Sequence, residues 1–364
     1  MGVMIRSYQL KRQHRLWAAL IVGISFLLLS ACSQTPAATN GQKPGGEVVF
    51  SNWSDFTPET MLKNFEQETG IKVKFSTFSS NEEVLAKLSA GGLGNYDLIV
   101  VSDYTVDILR KQGILEEIDK TNIPNFKNLI PSFLDQAFDP GNKYSIPYMA
   151  GNVIIAYNKN TVKKPITGYA DLWDPEFVNN LVVLDDQRTL IGITNKMQGK
   201  SMNDTDPAVL KKSLDLLLAL KPNIKAFDSD SPKNMLINGE VKAGIVWGAE
   251  AALARKDNPS IVTVNPKEGM QLWIDNLVIP KGAPHKQNAE AFINFILEGK
   301  NSAELTKAFP YMLPNSAGLE LTDDSIKNDP AVYPPEEDRK KGEYFIDVGD
   351  ATTELDRIWS RFKQ

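Results

Sequence analysis

Apolar runs and amphipathic stretches alternate along the chain, and their periods predict two consecutive sets of strands and helices. Val48-Val49-Phe50 is a short strand running into Asn52-Trp53-Ser54-Asp55-Phe56. Thr57-Pro58 reads as a helix start, an N-cap hydroxyl followed by proline at the first helical position. That helix puts Met61, Leu62 and Phe65 on one face and stops at Gly70. Ile71, Val73 and Phe75 alternate with Lys72, Lys74 and Ser76, a strand with one solvated face. Asn81 is expected to cap a second helix carrying Val84, Leu85 and Leu88 and ending at Gly91-Gly92. Leu98 to Val101 is apolar throughout, as a central parallel strand is. Ser102-Asp103-Tyr104-Thr105 follows, then a helix with Val106 and Leu109. Regular alternation of strand and helix predicts an open α/β sheet, in which ligands sit beyond the carboxyl ends of the strands.

Tyr144 to Tyr148, leading to Val153–Tyr157, is expected to be a first crossing to a second α/β set. There Leu181–Leu184 is a strand that delivers Asp185, Asp186, Gln187, Arg188 and Thr189 at its end. Asp206-Pro207 starts a helix with Leu210, Leu214, Leu217 and Leu218, Phe227–Ser231 is a polar loop, and Gly244–Gly248 is a strand ending in Trp247. Ile261–Val264 is a further strand. Leu272 to Ile279 reads as a buried strand closed by Pro280 and interrupted by Trp273 and Asp275. Residues i and i+2 of a strand share a face. An indole and a carboxylate on one face are the two groups that hold an organic cation. Taken alone, a core tryptophan and a turn aspartate account for this stretch equally well. Ala289–Leu297 is a helix with Phe292, Phe295 and Ile296 inward, and a last helix surrounds Leu355, Ile358 and Trp359.

The first 32 residues change the charge picture. Arg6, Lys11, Arg12 and Arg15 precede the apolar run Leu16–Leu29, which is too short to span a bilayer comfortably. Leu29-Ser30-Ala31-Cys32 resembles a bacterial lipobox, whose cysteine becomes a lipid-bearing N-terminus; an ordinary signal peptide with a chance cysteine is the alternative. Ser33–Gly46 is small, polar and Pro/Gly-bearing, a flexible tether. Of 40 basic side chains the segment holds four and none of the 45 acidic ones, so 36 remain against 45, a net −9. That balance argues against nucleic-acid binding and suits a cationic ligand. Two histidines, His14 and His285, and one cysteine leave no room for an intrachain disulfide or thiolate metal cluster and little for a His-based triad or zinc site. No cofactor motif is present.

Aromatics and carboxylates recur at predicted strand ends: Trp53 with Asp55, Asp103 with Tyr104, Asp186, Trp247, and Trp273 with Asp275. Each taken singly is explained by core packing or helix capping. With Glu68–Val73, Tyr96–Val100, Tyr144–Tyr148, Trp273–Leu277 and Gly342–Gly349, the chain over residues 46–364 resembles the periplasmic spermidine/putrescine-binding proteins of polyamine ABC transporters. The resemblance implies an α/β, two-lobed, type II periplasmic-binding-protein fold. Each lobe is a mixed, mainly parallel sheet flanked by helices, with two hinge crossings. Residues 1–32 are then a lipoprotein signal peptide and 33–46 a tether; 47–150 with 277–320 form lobe 1, and 151–276 with 321–364 form lobe 2.

The same resemblance implies ligand contacts from Trp53, Ser54, Asp55, Ser102, Tyr104, Asp186, Ser229, Trp247, Trp273, Asp275 and Tyr311, with lipid on Cys32. Three positions depart from it. Phe56 stands for tyrosine, Thr189 for a glutamate three residues after Asp186, and Phe345 for a glutamine. Losing a carboxylate at Thr189 leaves a buried ammonium uncompensated by a few kcal/mol, roughly. A shorter diamine, weak spermidine binding or another cation would follow, with Asp103 as a replacement charge. The expected protein is a non-enzymatic, monomeric, lipid-anchored periplasmic receptor that hands a polyamine to a membrane permease. Rival readings are a same-fold receptor for another cationic or amino-acid-like solute, and a sensor subunit that presents its ligand to a signalling partner. Paired carboxylates can serve glycoside chemistry, but no nucleophile–base pair accompanies them here.

Overall fold

A computed structural model describes residues 45–364 apart from Asp55. The signal segment, Cys32, all of the tether before Gly45, and Asp55 therefore lie outside the described residues. Ten strands form one mixed sheet in the order β2-β1-β3-β9-β4-β7-β5-β6, with β10 on β9 and β8 on β4. In chain order the strands are β1 (Glu47–Trp53), β2 (Lys72–Phe78), β3 (Leu98–Ser102), β4 (Ser145–Asn158), β5 (Leu181–Val183), β6 (Ile224–Phe227), β7 (Ala243–Trp247), β8 (Ile261–Val264), β9 (Gln271–Val278) and β10 (Glu343–Tyr344). The strands β1, β2 and β3 are mutually parallel, as are β5, β6 and β7. Between these two sets run β4 and β9, paired antiparallel from Ser145↔Val278 to Val153↔Gln271 with a bulge at Tyr148. The carboxyl half of β9 pairs with β3, and the carboxyl half of β4 with β7 and β8.

Helices cover both faces of each parallel set. On the first, α1 (Glu59–Thr69) and α8 (Lys286–Ile296) bury Met61, Phe65, Phe292 and Ile293 against Phe50 and Leu98. On its other face α2 (Asn81–Lys87) and α3 (Asp103–Lys111) bury Val84, Val106 and Leu109 against Ile99 and Val101. Around the second set, α4 (Gln187–Met197), α5 (Pro207–Leu220) and α10 (Thr352–Lys363) supply Leu190, Leu214, Leu217 and Ile358 to one cluster. The short α6 (Lys233–Ile237) and α7 (Gly248–Asp257) supply Leu236, Ala251 and Ala254 to another. The helix α9 (Gly299–Ala308) leads into the 308–311 turn beside the cavity described below. Among the described residues no helix is long and apolar enough to cross a membrane.

Several local expectations change in context. Pro58, with ψ 133°, is itself the N-cap of α1 and makes no side-chain capping bond. The Thr57 hydroxyl is committed elsewhere, to Asn52 Nδ2 at 2.7 Å and the Tyr148 hydroxyl at 3.0 Å. Ser80 rather than Asn81 caps α2, accepting from the Glu83 N–H at 3.1 Å. Asn81 is the first helical residue, and its amide reaches across to Ser102. The strand β2 lies at the sheet edge and is mostly exposed, with Val73 half-buried against the core and Phe78 buried at its end. Ser145–Tyr148 and Val153–Tyr157 belong to one almost wholly buried 14-residue strand that Tyr144 immediately precedes, so this crossing is extended chain and not a loop. Period-2 alternation is invisible there because both faces are covered.

Candidate functional site

The two sets of three parallel strands, which run in opposite directions, end at one place. The turns after β1, β2 and β3 bring Trp53, Ser54, Glu82, Ser102, Asp103 and Tyr104; those after β5, β6 and β7 bring Asp186, Asp228, Ser229, Trp247 and Glu250. They line a cavity of about 820 Å³ with Gln271, Trp273 and Asp275 of β9 as alternate residues on its floor. Tyr311 and Phe345 complete the aromatic wall. All ten described positions from the expected set, together with Asp103, thus border one cavity. Among the described residues, nine aspartates and glutamates line it against one lysine, so its field favours cations.

Trp273 is held by its neighbours and by a missing side chain. Its ring packs edge-on against Trp247 at 6.0 Å and Tyr311 at 5.3 Å, with Phe56 at 6.2 Å. Directly across the sheet is Gly151, where a Cβ would lie 2.3 Å from the indole. Only glycine lets the ring lie flat on β4. The indole Nε1 is buried and makes no hydrogen bond. Phe56 fits the same aromatic cluster, edge-on to Tyr148 and Tyr311 at 5.6 and 5.3 Å.

Asp275 is buried and accepts one hydrogen bond, from the Ser102 hydroxyl at 2.8 Å. Asn81 in turn donates to that hydroxyl at 3.1 Å, fixing its orientation. Burial pushes the Asp275 carboxyl up to about 7, and the Ser102 bond pulls back only partly. Asp103 is more deeply committed. Its two oxygens accept the Tyr104 N–H at 2.7 Å and the Ile274 N–H at 3.3 Å. Burial, with the Asp275 charge adding to it, lifts its carboxyl to about 8 despite those bonds. Near neutral pH it is mostly protonated, which makes it a poorer replacement charge than Asp275. Glu82 accepts from the Tyr104 hydroxyl at 3.2 Å, and burial and the nearby Asp186 charge both raise it.

Asp186 combines two roles: it caps α4 through the Thr189 N–H at 2.8 Å and faces the cavity, and burial raises its carboxyl. Thr189 is fully buried and donates its hydroxyl to Oε1 of Gln271, a residue of the cavity floor, at 2.5 Å. Phe345 stacks edge-on to Tyr104, and the buried Arg188 guanidinium lies 4.7 Å from the Phe345 ring and 5.1 Å from Tyr104. Trp247 donates its indole N–H to Ser229 O at 2.8 Å, anchoring the 228–231 loop. Lys233 and Glu250 form an ion pair at 2.7 Å in the same wall. Glu82, Arg188, Lys233 and Glu250 were not foreseen as site residues. Glu82, Glu250 and Arg188 follow strand ends closely, a signal of the kind Asp186 carries, whereas Lys233 lies within a short helix and carries none.

Residues 60–334 match the family model for bacterial extracellular solute-binding proteins. The spermidine/putrescine-binding periplasmic protein of Salmonella typhimurium is 40% identical over 87% of this chain and 91% of its own length. A putrescine/cadaverine-binding protein of Pseudomonas aeruginosa is 34% identical over 92% of this chain and 97% of its own. Among solved structures, a protein of Listeria monocytogenes assigned as a spermidine/putrescine ABC transporter superposes with TM-score 0.84. It is 33% identical and covers 87% of this chain and 99% of its own.

Proposed function

The chain belongs to the bacterial extracellular solute-binding proteins, within the spermidine/putrescine-binding group and with its type II fold; from that premise we propose that it is the polyamine receptor of an ABC transporter. The cleft takes an amine of the putrescine/spermidine class, which is protonated at neutral pH. Its ammonium groups meet Asp275 and Asp186, and its methylenes pack on Trp273, Trp247 and Trp53. The observation that carries this reading is the pairing on β9: a buried carboxylate and an indole two residues apart, on the floor of an acid-lined, aromatic-walled cavity. A desolvated cation–π contact contributes about 0.5–2 kcal/mol, and a carboxylate adds charge-assisted hydrogen bonds. No covalent step is involved.

The parallel sets on either side of β4 and β9 are the two lobes, and those strands are the crossings about which they close. An amine that contacts both sets shifts the population toward the closed form, which a permease recognises. The protein is a periplasmic monomer that Cys32 tethers to the membrane through lipid, as the N-terminus left after removal of residues 1–31. Asp55, outside the described residues, is proposed as a further acidic contact. Calorimetric titration with putrescine, spermidine and spermine, against amino acids as controls, tests the reading; heat from amino acids and none from amines would overturn it. Metabolic labelling with a fatty acid in the wild type and Cys32→Ser tests the anchor.

A further inference from the structure

The acidic wall of the cleft holds its lysine in a defined place. Lys233 of α6 directs Nζ to both oxygens of Glu250, in the first turn of α7, at 2.7 and 2.8 Å. Both side chains line the cavity beside Trp247, and both are largely buried, 24% and 9% exposed. A pair at this depth costs two desolvations, so docking α6 on α7 is a poor reason for it. Leu236, Ala251 and Ala254 already join these helices in one apolar cluster. What the pair reproduces is the cleft's own chemistry: an ammonium on a carboxylate next to an indole.

Resting on the reading of the cleft as a polyamine site, we infer that Glu250 is an additional ammonium subsite which Lys233 fills from within the chain. A diamine held at Asp275 does not need it. A longer polyamine extending past Trp247 meets a tethered cation where its next amine would bind. On the Tyr104 side, Phe345 is backed by Arg188, a second intramolecular cation, which faces the Glu82 and Asp186 carboxylates. The chain therefore discriminates in favour of short diamines, and Lys233 is a specificity-determining residue. The discrimination comes from like-charge repulsion and an occupied partner, not from a tighter fit to the diamine.

The test is calorimetric titration of the purified wild type, Lys233→Ala and Lys233→Ala/Glu250→Gln with putrescine, spermidine and spermine. Lys233→Ala is expected to raise spermidine and spermine affinity relative to putrescine by about tenfold or more. The double variant is expected to lose that gain, because the freed carboxylate is what the extra amine uses. An affinity ratio that stays at the wild-type value in Lys233→Ala, or a gain that survives in the double variant, overturns the inference while leaving the polyamine reading in place. A wild type that binds none of the three amines overturns both. If the alanine variant loses its cooperative melt, Lys233→Met, which keeps the methylene packing, carries the same comparison.

Discussion

Replacing Asp275 by asparagine should weaken ligand binding and stabilise the empty protein, a combination that follows from its burial. Burial lifts the carboxyl from its ordinary value of 3.8 to about 7. At about 1.36 kcal/mol for each factor of ten, this is about 4 kcal/mol against the ionised form in the empty cleft. Because the folded pKa lies above the unfolded one, the cost is absent below about pH 4, grows between about 4 and 7, and is fully present above about 7. Asparagine keeps the shape and still accepts from Ser102, without the charge. Asp275→Asn should therefore unfold at higher denaturant than wild type at pH 8, by up to about 4 kcal/mol, and show little difference at pH 4. Amine binding moves the other way. Truncating one partner of a buried charge pair costs about 2–5 kcal/mol, or roughly thirtyfold to several-thousandfold in Kd. The wild type should also lose affinity in acid. With its pKa at about 7, half of Asp275 is ionised at pH 7 and about one part in a hundred at pH 5, an approximately fiftyfold loss. Titration calorimetry with putrescine at pH 5, 7 and 8, with denaturant curves of the empty proteins, reads all of this. Unchanged putrescine affinity in Asp275→Asn refutes the cation site, and a less stable Asp275→Asn at pH 8 refutes the burial cost.

Other substitutions probe the supports of the site. Gly151→Ala puts a Cβ into the Trp273 indole and should cost about 1–3 kcal/mol in thermal or chemical denaturation, with weaker amine binding as the ring is displaced. Trp273→Leu should weaken putrescine binding by about 0.5–2 kcal/mol through the lost cation–π contact, measured by calorimetry. Asp97 is fully buried and accepts from the Val49 and His285 N–H groups, each at 2.7 Å, at the start of β3 and far along that strand from Ser102. Asp97→Ala should destabilise by about 1–3 kcal/mol in denaturant and leave the amine affinity unchanged.

Much of the architecture is carried by local pattern. Leu98–Val101 must be a strand buried on both faces, Asp206-Pro207 must open a helix, and Gly70 must end one, since its φ of 77° is a left-handed cap. The i, i+2 rule alone put Trp273 and Asp275 on one side. Single caps were less legible. Thr57 and Asn81 have the right side chains for capping, but Tyr148 and Ser102, remote in sequence, claim those groups instead. Residue type tells what a side chain can bond, and only the tertiary contacts decide which offer is taken.

By itself, the sequence determined that aromatics and carboxylates stand at the ends of strands in two α/β sets, because strand ends and turn residues are local properties. The tertiary structure decided what those groups become. It brought six strand ends to one cavity, buried Asp275 and Asp103 until their ionisation is costly, turned Thr189 to Gln271, and set Lys233 on Glu250. Desolvation and charge pairing depend on what surrounds a group in three dimensions. A period along the chain carries no record of them.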